Sequence, residues 1–165
     1  MMGKETEEAS NLARVAYIQA SWHTDITDNC KTAFVDEMVR QGWKKDDIHF
    51  HSVPGSLEIP LTAKLLAQSG RYDAICCSGL IVDGGIYRHE FVAHAVLTGM
   101  MQVSIATETP ILSAVLTPQQ FHEHETHVEF FKEHMKTKGK ELAEACIGTL
   151  KAIEAIPNRR PGPRR

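Results

Sequence analysis

The chain lacks most of the marks of membrane, secreted and nucleic-acid-binding proteins. No stretch approaches the roughly eighteen continuous apolar residues of a membrane span, and MMGKETEEAS at the start has no apolar run of a secretory leader. Cysteines number four, Cys30, Cys76, Cys77 and Cys146, and none is spaced as CxxC. That pattern excludes a redox dithiol motif or a zinc ribbon and predicts reduced, structural thiols in a cytoplasmic protein. Net positive charge is also missing. The formal charge is −3, and four of the eighteen basic residues (Arg159, Arg160, Arg164 and Arg165) crowd the last seven positions. Without them, fourteen basic residues face twenty-one acidic ones, a balance of −7, which argues against a nucleic-acid or membrane surface. The arginine tail is either a solvated terminus or a contact for an acidic partner. No internal repeat, GxGxxG or Walker pattern is present, so no nucleotide cofactor is expected.

What remains is ordinary globular composition, 42% hydrophobic and 24% charged over 165 residues. This predicts one domain over residues 12–156, with 1–11 flexible and 157–165 a disordered basic tail. Apolar runs at 12–20, 48–53, 72–79 and 110–116 read as strands. The segments between and after them, about 25–41, 58–68, 88–107 and 128–155, read as helices. In the first, Ile26, Cys30, Ala33, Phe34 and Met38 recur at helical spacing, and Gly42 ends it. Strand–helix alternation predicts an α/β three-layer sandwich with a four-stranded parallel sheet. Ligands bind such sheets beyond the carboxyl ends of the strands, which directs attention to 20–25, 54–58, 80–90 and 113–127.

Each of these loops carries chemistry. Trp22, between Ser21 and His23, either caps the core or offers a flat surface to a planar heterocycle. In Pro54-Gly55-Ser56-Leu57-Glu58, glycine permits close approach and the following helix supplies free N–H groups. Glu58 can complement the helix dipole or accept hydrogen bonds from a polyhydroxy chain. Gly84 and Gly85 before a helix make an anion cradle. Arg88 and His89, expected in the first turn of that helix, oppose its dipole, so a role in phosphate binding or proton transfer is expected. The histidine-rich stretch 121–127 is spaced HxHxxH, without HExxH or cysteine ligands, and is not taken as a metal site.

PGSLEIP at 54–60 and the glycine turn at 84–85 are similar to those of the 6,7-dimethyl-8-ribityllumazine synthases, and the resemblance covers about 12–155. Trp22, Pro110 and Lys138-Gly139 also match. The resemblance implies a flavodoxin-like sandwich and a cofactor-free transferase. It would condense 5-amino-6-ribitylaminouracil with 3,4-dihydroxy-2-butanone 4-phosphate, in the penultimate step of riboflavin biosynthesis. It further implies that Trp22, with His23 beside it, stacks on the pyrimidine. Gly55, Ser56, Leu57 and Glu58 would hold the ribityl chain, Leu80, Ile81 and Val82 the pyrimidine edge. Gly84, Gly85 and Ile86 would bind phosphate, with His124, His127 and Lys138 as further candidates. Ser113 stands where the family often has a phenylalanine lent by a neighbouring subunit.

Two departures stand out. The family usually has histidine, aromatic, acid where this chain has Arg88, His89 and Glu90. The catalytic histidine thus aligns with Arg88, and His89 is displaced by one position, about 100° around a helix. The family's phosphate-binding arginine in the last loop is absent. GGIYRHEF with a histidine-rich loop resembles the divergent second type of the family, built as pentamers or paired pentamers with sites between subunits. A lumazine or flavin carrier with weakened catalysis is the alternative.

Overall fold

The computed structural model describes residues 13–82, 88–118 and 125–157. Strands and helices alternate as β1 (Val15–Ala20), α1 (Thr24–Arg40), β2 (Ile48–Val53), α2 (Ile59–Gln68), β3 (Ala74–Leu80), α3 (His89–Thr107), β4 (Ile111–Leu116) and α4 (Glu125–Glu154). All strand pairs are parallel and the order is β2-β1-β3-β4. The chain leaves β1 toward one edge and then returns to its other side. The topological switch point therefore lies between β1 and β3, where such sheets bind ligands.

Burial explains the layering. Every residue of β3 is buried, as expected of a strand covered on both faces. On one face Val15, Tyr17, Cys76 and Ala114 pack with Ile26 and Phe34 of α1 and Met135 and Leu142 of α4. On the other, Ile18, Ile75, Cys77 and Val115 pack with Ile59 and Ala63 of α2 and Val96 and Met100 of α3. This is a three-layer, flavodoxin-like sandwich. No described helix is long and apolar enough to cross a membrane.

The two helical layers are finished differently. Helices α1 and α4 meet so closely that a Cβ on Gly139 would lie 2.9 Å from the Ala33 Cβ and clash with the Cys30 carbonyl oxygen. The outer surface of α4 carries the ion pairs Lys132–Glu129, Lys136–Glu133 and Lys138–Glu141. Helices α2 and α3 instead leave Leu61, Leu65, Leu97, Met101 and Ile105 exposed.

Element boundaries shift by a residue or two at several ends, β3 being Ala74–Leu80 rather than 72–79, and depart more clearly from the sequence expectations at three places. β1 begins at Val15 rather than at 12, after Arg14 has bonded its N–H to the Asp73 carboxylate. α4 begins at Glu125 rather than 128, because the polar His-rich stretch conceals its first turn. Arg88 is not helical. Its backbone is extended, φ −80° and ψ 113°, and the helix starts at His89.

Candidate active site at the carboxyl edge

β1 and β2 end together, Ala20 opposite Val53, and the pairing continues one residue further through Ser21 N–H donating to the Val53 carbonyl at 2.9 Å. Beyond it Trp22 stands 66% exposed, so its ring is not a plug for the core. His23 follows in the left-handed region, φ 58°, and its carbonyl accepts the first N–H bonds of α1 from Ile26 and Thr27. A non-glycine residue is held there at some cost.

After β2, Pro54 and Gly55 lead into a single 3-10 turn, Ser56–Glu58, that runs directly into α2 with Pro60 in its first turn. Gly55 is extended, so its backbone does not require glycine, but the space around it is tight. A Cβ would lie 3.1 Å from Glu58 Oε2 and 3.3 Å from Trp22 Nε1. The bare Cα of Gly55 is thus the floor between an exposed indole and an exposed carboxylate. Such a slot offers a flat surface and a hydrogen-bond acceptor to one ligand. Ser56 is buried, and a Cβ on Gly79 would come within 2.8 Å of its Oγ. Leu57 is exposed beside it.

At the end of β3, Leu80 and Ile81 are buried in opposite cores, and Ile81 N–H donates to the Leu116 carbonyl at 2.8 Å. Any contact these two make with a ligand is therefore a backbone contact. Val82 is half-buried. Gly84, Gly85 and Ile86 of the expected phosphate cradle, and His124, lie outside the described residues.

The extended backbone of Arg88 separates it from His89 differently from the helical offset expected between them. His89 is the first residue of α3 and is buried, with Nδ1 3.9 Å from Glu90 Oε2. Arg88 is exposed and places its guanidinium 5.6 Å from the centre of the exposed Phe91 ring. The imidazole turns in while the guanidinium covers an aromatic face.

Two expected residues are not gathered at the slot. Ser113 sits mid-strand on the edge strand β4, opposite Cys77, exposed, its Oγ accepting from Val115 N–H at 3.1 Å. Lys138 is thirteen residues into α4, about 20 Å along it, and pairs with Glu141 at 2.9 Å. His127 lies in the first turn of α4. No group of three or more histidine, cysteine or acidic residues is arranged for a metal among the described residues. Gly79 was missed by sequence reasoning. A glycine closing an otherwise apolar strand was the available signal.

The model of the 6,7-dimethyl-8-ribityllumazine synthase family matches residues 12–154. The chain belongs to that family. Among curated lumazine synthases, that of Rhodococcus erythropolis is 51% identical over 144 residues, 87% of this chain and 93% of the relative. Proteins named 6,7-dimethyl-8-ribityllumazine synthase 2 from Pseudomonas syringae and Bradyrhizobium diazoefficiens are each 51% identical over 143 residues, 87% of this chain. They cover 84% and 86% of those relatives. A lumazine synthase 1 from Caulobacter vibrioides is 29% identical over 143 residues.

Proposed function

We propose that the chain is a cofactor-free transferase that condenses 5-amino-6-(D-ribitylamino)uracil with 3,4-dihydroxy-2-butanone 4-phosphate, giving 6,7-dimethyl-8-ribityllumazine in riboflavin biosynthesis. The observation that carries this is membership of the lumazine synthase family across residues 12–154. In the reaction the pyrimidine amine attacks the ketone to form an imine with loss of water, phosphate is eliminated, and ring closure by the ribityl-bearing nitrogen on the second carbonyl releases a second water. The reactants are reactive in themselves, so holding amine and carbonyl together supplies much of the acceleration.

The slot floored by Gly55 holds the pyrimidine substrate, Trp22 stacking on its ring and Glu58, with the turn 55–57, accepting and donating to the ribityl chain. The backbone at 80–82 borders the pyrimidine. Gly84, Gly85 and Ile86 receive the phosphate. His89, buried at the start of α3, is the better proton carrier; Arg88, drawn onto Phe91, supplies positive charge. His127, His124, Lys138 and Ser113 serve a neighbouring subunit's site, because Ser113 and Lys138 lie far along their own elements from the slot. The exposed row on α2 and α3 supports self-association, and pentamers or paired pentamers fit this family member. The site of action is the cytoplasm.

The test is the two-substrate assay read by lumazine fluorescence. His89→Ala is expected to slow turnover about ten- to a hundredfold, the usual range for a proton-transfer group. Arg88→Ala should do less. A silent His89→Ala beside an inactive Arg88→Ala would reverse the assignment, and tight riboflavin binding without any lumazine formation would make the protein a carrier.

A further inference from the structure

Trp22 is held between two constraints. One side is the left-handed backbone of His23. On the other is Ser21, whose Oγ lies 2.8 Å from Ser52 Oγ and donates to the Val53 carbonyl at 2.8 Å. The direction of the chain of bonds follows from the proton count. A serine hydroxyl has one proton, so with Ser21 donating to Val53, Ser52 must be the donor to Ser21. The Val53 carbonyl also accepts Ser21 N–H, so both its lone pairs are used. Nothing in the sheet ladder requires the two hydroxyls. They add side-chain bonds at the point where β1 and β2 release the chain, one toward Trp22 and the other toward Gly55.

That junction sets the width of the slot. Trp22 Nε1 and Glu58 Oε2 approach the same point above the Gly55 Cα. A small rotation of the 21–22 segment against the 53–55 segment would open or close the space between indole and carboxylate. We infer that the Ser52–Ser21–Val53 hydrogen-bond chain positions Trp22 against Glu58 and thereby sets affinity for the pyrimidine substrate. Ser21 and Ser52 are positioning residues, acting through Trp22. The inference rests on Trp22 and Glu58 as the groups that hold that substrate.

The experiment measures KM and kcat for each substrate separately in Ser21→Ala, Ser52→Ala and Ser21→Thr, with Trp22→Ala as control. Losing one such bond is expected to raise KM for the pyrimidine about three- to tenfold, with kcat and KM for the butanone phosphate within about twofold. Ser21→Thr keeps the hydroxyl and should restore the wild-type KM. Equal change in both KM values, or no rescue by threonine, would show a general structural effect and overturn the inference. So would an unchanged pyrimidine KM in Ser21→Ala while Trp22→Ala raises it. If Trp22→Ala itself leaves the pyrimidine KM unchanged, the slot assignment fails first, and the positioning role falls with it. Acrylamide quenching of Trp22 in a Trp43→Phe background gives a second readout. Ser21→Ala should change its accessibility, and an unchanged quenching constant counts against the inference.

Discussion

The two faces of the sheet are built from similar apolar residues but end in opposite ways. The α1/α4 layer packs its two helices tightly against each other, with Phe130 of α4 left exposed. Its helices touch at Gly139, and the far side of α4 is dressed in lysine–glutamate pairs. The α2/α3 layer has an equally buried inner side, yet its outer side carries exposed leucine, methionine and isoleucine. Scattered apolar surface is normal, but exposed apolar residues at helical spacing on two adjacent helices support the proposed self-association through this face. Both layers bury a core of the single chain; they differ in how much apolar surface their outer sides leave exposed.

Substitution at Gly139 tests the first half of that contrast and should have the largest effect. Gly139→Ala places a methyl group against the Cys30 carbonyl, forcing α1 and α4 apart. A loss of about 3 kcal/mol is expected, the upper end for overpacking, or roughly 9 °C in Tm for a chain of this size. An unchanged melting curve would mean that the helices are not packed as described. Met101→Lys combined with Ile105→Lys addresses the second half. On the proposal that sites lie between subunits, light scattering should show smaller particles and lumazine formation should fall at least about tenfold. Unchanged particle mass would remove α3 from the interface.

The smallest effect concerns pH, and it separates the faces again. On the α2/α3 side of edge strand β2, His49 Nδ1 lies 2.8 Å from the Tyr72 hydroxyl, and the His51 ring meets Tyr72 edge-on. His51 Nε2 is buried with no hydrogen-bond partner among the described residues. Burial first, then His49 and Arg71, holds the His51 pKa below its ordinary 6.5. The unfolded chain therefore takes up this proton first. Stability from neutral His51 is full above about 6.5 and is lost as pH falls through the lower folded value. On the α1 side Glu37, held near 2 mainly by hydrogen bonds from Arg40 and then Gln41, stays charged across that window. Urea midpoints at pH 7.5 and 5.5 should differ less in His51→Gln than in the wild type; an equal difference would point to other groups.

Much of this architecture could be read in advance because it is local. Ile48–Val53 is bounded by charge on one side and Pro54-Gly55 on the other, and the expected and observed strands coincide. The helix of Ile26, Cys30, Phe34 and Met38 follows from spacing alone. The departures arise where distant parts meet. Ser21 and Ser52 are thirty-one residues apart, and only the β1–β2 register brings their hydroxyls together. Gly79 gains its meaning from Ser56, on a different segment. Arg88 and His89 were expected to share a helical turn because both precede an amphipathic run. Arg88 instead takes the extended backbone of the residue that precedes the helix, and periodicity does not encode which residue that is.

The four thiols carry one last consequence. Cys30, Cys76, Cys77 and Cys146 are all buried, and burial lifts the Cys30 thiol to about 11 and those of Cys76 and Cys77 higher still. Reagents that need a thiolate meet none of these groups while the sheet is closed. Cys76 and Cys77 face opposite layers from adjacent positions on β3. The rates at which the two are labelled would therefore clock each layer's opening separately, a pair of internal stopwatches set back to back in one strand.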